Sequence, residues 1–141
     1  MHIQWKDAYL VGDHLIDFDH QMLINVSNEL FNEIENGTGH EVIEKTIHCL
    51  NDYIDRHFAH EEAMFLDTDY PDADEHIKTH REIEKIFRGI ETAYNKDPHS
   101  LDPGDMLNFI NRWLVRHILK VDREYIPYME KAALEPDEKT A

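Results

Sequence analysis

The chain has 141 residues, a formal net charge of −16 and one cysteine, Cys49. That length suffices for one buried core, and a single cysteine excludes an intrachain disulfide, which suits a reducing cytoplasm. The 14 Lys and Arg are scattered, so nucleic acid is repelled and no basic face meets an anionic membrane; the longest apolar runs, such as Ala63-Met64-Phe65-Leu66, are too short to span one.

Residues 1–16 lack helical periodicity and read as a non-helical arm, packed through Trp5, Tyr9 and Leu10. From about 17 to 36, Leu23, Ile24, Leu30, Phe31 and Ile34 share a helical face, with Asp17 as a candidate N-cap and Gly37-Thr38-Gly39 as the stop. A second helix is expected over 40–66, with Ile43, Ile47, Leu50, Ile54, Phe58 and Phe65 inward. The aspartates and proline of residues 67–72 break it. The third, over 72–95, carries Ile83, Phe87, Ile90 and Tyr94, and Asp97-Pro98-His99-Ser100 interrupts again. Pro103 suits the first turn of a fourth helix over 103–125, with Leu107, Ile110, Trp113, Leu114 and Val121 inward. A polar tail follows over 130–141. Short connections favour antiparallel neighbours, so the expected fold is all-α: one domain over 1–141, an up-down-up-down four-helix bundle with its N-terminal arm.

Eleven histidines are present, more than glycine and proline together, and their positions are not random. His57 and Glu61 are four apart, as are His76 and His80, so each pair lies along one side of its helix. His20 and His76 fall near helix starts, His57 and His117 near helix ends. In an antiparallel bundle those positions share one level. A lone inward histidine is usually an ordinary core residue, but five at one level would be costly to desolvate without a common partner, and that partner is a metal. By contrast His48 is expected to face solvent, His60 points aside, and His2, His14, His40 and His99 fall in the arm or at helix ends.

Five imidazoles exceed what one catalytic zinc takes, and no Cys-x-x-Cys or His-Glu-x-x-His motif is present. No histidine has a glutamate three residues before it, which excludes the Glu-x-x-His pattern of ferritin-like carboxylate sites. Mixed imidazole and carboxylate ligation suits iron or manganese.

The set Asp17…His20, His57-Phe58-Ala59-His60-Glu61-Glu62-Ala63-Met64, Tyr70-Pro71, His76…His80 and Trp113-Leu114-Val115-Arg116-His117-Ile118…Asp122 resembles the hemerythrin family, specifically its bacterial members, over nearly the whole chain. The resemblance implies two iron ions bridged by oxide or hydroxide. It assigns His76, His80 and His117 to one iron, His20 and His57 to the other, and Glu61 and Asp122 to bridges. Those ligands fill all but one position of two six-coordinate ions and leave the open one on the two-histidine ion. The implied function is reversible dioxygen binding for transport, storage or delivery, without enzymatic turnover. The competing readings keep the site but make the protein an oxygen or redox sensor acting through a partner, or a reductase of peroxide or nitric oxide. One departure is Asp19, which stands before His20 where the family often has glutamine.

Two structural expectations follow. His117 and Asp122 are five residues apart and would diverge by about 140° on a regular helix, so a π-turn or similar distortion is expected between them. An apolar dioxygen pocket is expected from Leu23, Phe58 and Trp113, by their nearness to the ligands, and from Leu119, by the resemblance.

Overall fold

The computed structural model describes residues 3–118 and 123–134. Among them the protein is helical, with α1 at His14–Glu35, α2 at Ile43–Phe65, α3 at Ala73–Lys96, α4 at Pro103–Phe109 and α5 at Ile126–Leu134. A π-helical segment, Ile110–Val115, extends α4. No helix among the described residues is long and apolar enough to cross a membrane.

The first three expected helices are present with local differences at their ends; the fourth, expected over 103–125, is described to residue 118, and residues 123–125 form a turn. The first begins earlier than residue 17. Asp13, not Asp17, is the N-cap, accepting hydrogen bonds from the Leu15 and Ile16 amides. Asp17 is buried instead, and its carboxylate accepts from the Val11 and Gly12 amides at 2.7 and 3.2 Å, tying the arm onto the helix. Gly12 makes that bend with φ +101°, which a side chain would resist. The arm is therefore anchored through buried Val11, whereas Leu10, expected inside, is exposed. The arm also contains a short 3₁₀ turn at Asp7–Tyr9, so it is not wholly non-helical.

The end of α1 follows from Gly37, which adopts φ +78°. Its amide donates to Ile34 O and the Thr38 amide to Glu33 O, the paired closing bonds of a Schellman cap. Asp102 caps α4, with Pro103 in its first turn. The polar tail expected from residue 130 begins within α5, which runs to Leu134, and Lys131 Nζ donates to Asp69 Oδ2 at 2.8 Å.

Two apolar clusters result. The larger runs along the bundle and includes Leu23, Leu30, Leu50, Ile54, Phe58, Phe87 and Ile110. The smaller closes one end with Val11, Ile16, Phe65, Tyr70 and Tyr125, supported by Ile126 and Met129 of α5. The buried histidines lie where helix starts and ends meet, against both clusters.

Asp13→Ala removes an exposed cap and should cost about 1 kcal/mol in urea unfolding of the metal-free protein. Asp17→Ala leaves two arm amides without their carboxylate and should cost more, about 2–3 kcal/mol. Equal effects would mean that the Asp17 contacts to the arm are worth no more than an exposed helix cap.

Candidate metal centre

Each helix of the bundle delivers its histidine at the expected level. His20 stands near the start of α1, His57 near the end of α2, His76 and His80 near the start of α3, and His117 just past the π-helical segment. All five rings and Glu61 are at most 5% exposed. The Nε2 atoms of His20 and His57 are 3.1 Å apart, and so are those of His76 and His117. Glu61 Oε1 lies 3.0 Å from His57 Nε2 and 3.4 Å from His80 Nε2. Ligand-type atoms thus converge in two groups, Glu61 with His76, His80 and His117, and Glu61 with His20 and His57. Glu61 belongs to both.

The ring tautomers explain why those nitrogens face inward. His57 Nδ1–H donates to Asp19 Oδ2 at 3.1 Å, and His80 Nδ1–H to Glu62 Oε2 at 3.0 Å. A ring that donates from Nδ1 presents a lone pair at Nε2. Each carboxylate is held in turn by an arginine, Asp19 by Arg56 at 3.1 Å and Glu62 by Arg81. Burial raises the Asp19 carboxyl, but the hydrogen bond from His57 and the charge of Arg56 outweigh it and leave the group below its ordinary value. Asp19 therefore stays ionised and keeps the proton of His57 on Nδ1.

These distances test whether a metal fits. Neighbouring ligands on an octahedral ion with bonds near 2.1 Å are about 3.0 Å apart, which the two imidazole pairs match. A lone-pair nitrogen 3.0 Å from a carboxylate oxygen, as at His57 and Glu61, is repulsive unless a cation lies against both. Protonating every ring would instead crowd like charges in a buried site. The donor set fits cations.

Residues 11–129 match the Hemerythrin HHE cation binding domain. The chain belongs to the hemerythrin family. A Bacteriohemerythrin of Pseudomonas paraeruginosa is 31% identical over 127 residues, which cover 89% of this chain and 80% of that protein. One of Clostridium acetobutylicum is 30% identical over 128 residues, covering 86% and 97%. A Hemerythrin-like protein of Naegleria gruberi is 24% identical over 121 residues, covering 86% and 88%.

Within this hemerythrin fold the structure brings six of the seven sequence-expected ligands together; Asp122 lies outside the described residues, as do Leu119 and Val121. Of the expected pocket residues, Leu23 and Phe58 are buried, and the Phe58 ring stacks on His80 with centroids 3.9 Å apart. Trp113 is 38% exposed instead of inward. The cause is the π-helix. An α-helix brings residues i+3 and i+4 back over residue i, whereas a π-helix brings i+4 and i+5. Counting from buried Ile110, Leu114 and Val115 turn inward and Trp113 swings out. The departure from α geometry expected between His117 and Asp122 falls largely on residues 119–122, which lie outside the described residues; π geometry is present at Ile110–Val115 and again at residues 117–118.

Sequence reasoning missed Asp19 and Glu62 as holders of ring protons. It also missed Phe65, Tyr70 and Tyr125, whose rings lie 4.9, 6.0 and 5.8 Å from that of His76. Asp19 could have been suspected, since it is an acid one residue before an inward histidine. Asp19→Ala and Glu62→Ala remove no ligand atom, yet each should weaken metal retention against a chelator by roughly 10–100-fold. Retention unchanged in both would deny the carboxylates any part in holding the rings.

Proposed function

We propose that the chain binds dioxygen reversibly at two iron ions, as a carrier, store or delivery protein and not as an enzyme. The observation that carries this reading is the sharing of Glu61 between two groups of imidazoles, which suits two adjacent cations joined by one carboxylate. His76, His80 and His117 would hold one iron and His20 and His57 the other, with Glu61 bridging and, by the sequence resemblance, Asp122 beside it. The absence of thiolate disfavours copper(I), five imidazoles around one shared carboxylate exceed what a catalytic zinc takes, and the family resemblance implies iron. An iron pair held there would supply the two electrons that dioxygen takes up on binding and returns on release.

The chain's own residues supply selectivity and lifetime. Asp19 and Glu62 hold protons on the outward ring nitrogens of His57 and His80, so the inward nitrogens remain donors. Phe58 lies flat against His80, and Phe65 and Tyr125 cover His76, which keeps bulk water from that half of the centre. Leu23, one turn beyond His20 on α1, is buried and apolar, as a dry two-histidine half requires. Excluding water and anions from such a site slows loss of the electrons to solvent, and reversible binding requires that.

The test is a visible spectrum of the reduced, iron-loaded protein before air, after air and after oxygen removal. The expected outcome is a new band in air that disappears on deoxygenation over repeated cycles, with iron near two per chain. An irreversible change on first exposure, or one metal per chain, would overturn the reading. Glu61→Gln should weaken both ions, whereas His20→Ala should chiefly deplete one; metal analysis separates the two patterns.

A further inference from the structure

A cavity of about 70 Å³ opens in the groove between α1 and α2. It is several times the roughly 10–15 Å³ that admits one water, yet its lining is apolar: Met22, Leu23 and Val26 from α1, Leu50 and Tyr53 from α2, with Cys49 beside them. Asp52 and Arg56 border it as well, and they are engaged with each other at 3.6 Å. An apolar recess of this size favours small apolar guests such as xenon.

The inner wall of the cavity backs onto the two-histidine half of the centre. Leu23 lies three residues beyond His20 on α1 and is 1% exposed. Tyr53 lies four residues before His57 on α2, and the two rings stack with centroids 4.8 Å apart and planes 18° from parallel. Both residues thus touch the cavity on one side and stand a helical turn from a ligand on the other. Met22 is 39% exposed and stands at the outer wall, where an unbranched, flexible side chain can move aside.

A second cleft, of about 410 Å³, touches His117 on the three-histidine side, but its character is different. Trp113 and Ile83 line it, and Arg112, Arg116, Thr79 and Glu124 add polar atoms to its wall. The α1–α2 cavity is the smaller and the more completely apolar of the two, which favours a neutral diatomic gas over water.

We infer that the α1–α2 cavity is a docking site for small apolar gases, dioxygen in particular, through which they reach the two-histidine half of the centre. The inference rests on the proposed function for the identity of the gas, and the apolar cavity against His20 and His57 carries the location. Met22 is the outer gate, and Leu23 and Tyr53 form the inner one. A gate changes the barrier and not the end states, so blocking it slows arrival and departure by one common factor.

The experiment uses the iron-loaded full chain. Crystals pressurised with xenon should show an atom among Met22, Leu23, Val26, Leu50 and Tyr53, and Met22→Trp should remove it. Stopped-flow mixing of the reduced Met22→Trp protein with dioxygen should give association and release both slowed roughly tenfold or more, with their ratio and the iron content unchanged. Alkylating Cys49, the chain's one thiol, with a bulky maleimide fills the same groove without a mutation and should slow both rates too. Absence of xenon density in the groove overturns the inference, as do unaltered rates in both blocked proteins. An iron-loaded protein that takes up no dioxygen would overturn the proposed function, and xenon density in the groove would then still decide the gas site by itself.

Discussion

A carboxylate with no exposed surface, Glu61, sits among imidazoles from three other helices and one on its own. Removing such a group from water is expensive unless positive charge is close by, and imidazole lone pairs turned toward it supply none. Cations between the donors would supply that charge, and the donor set fits them. Much else follows from that requirement. Glu61 and His57 lie one turn apart on α2, so α2 must carry both halves of the centre along one face. The helix bearing His20 must then pack on one side of it, and those bearing His80 and His117 on the other. The antiparallel order of the bundle is the simplest way to bring these helix starts and ends to one level.

The surroundings of the centre divide into a dry lining and a charged outer ring. Phe58, Phe65 and Tyr125 stack on or beside the imidazoles, and the aromatic end cluster is completed by α5 and by Val11 of the arm. Outside this lining, Asp19–Arg56 and Glu62–Arg81 hold the outer edges of His57 and His80. The two devices act together. The apolar layer lowers the local dielectric, which strengthens the hydrogen bonds that fix ring orientation. The two arginines are about half exposed and keep their charges in water, whereas buried Asp19 and mostly covered Glu62 bring their oxygen atoms to the rings.

Helical spacing carried much of this fold in advance, because it is a local property. Inward residues such as Leu23, Leu30, Leu50, Ile54, Ile83 and Phe87 are where 3.6-residue periodicity puts them. Trp113 is the exception that identifies the limit of the rule. A pattern of Ile110, Trp113 and Leu114 is a sound α-helical face, and nothing in those residue types announces a π-helix. The wider turn depends on how the last helix fits against its neighbours, where Asn111 Oδ1 accepts a hydrogen bond from buried Ser27. Asp17 shows the same limit at the other end: its type suits a cap, but the arm folds back to claim it.

By itself the sequence determined the all-α class, the level at which five histidines and Glu61 meet, and the resemblance that places the chain among hemerythrins. Those conclusions rest on intervals along one helix and on the antiparallel alternation that short connections impose. Tertiary structure decided what depends on the rotation and approach of different helices. Asp19 reaches across to His57 and not to the neighbouring His20; Glu62 reaches His80 on α3. Tyr125 returns to cover His76, and Trp113 leaves the core for the surface. Each of these contacts joins residues whose separation in sequence says nothing of their separation in space, so only the packed bundle fixes them.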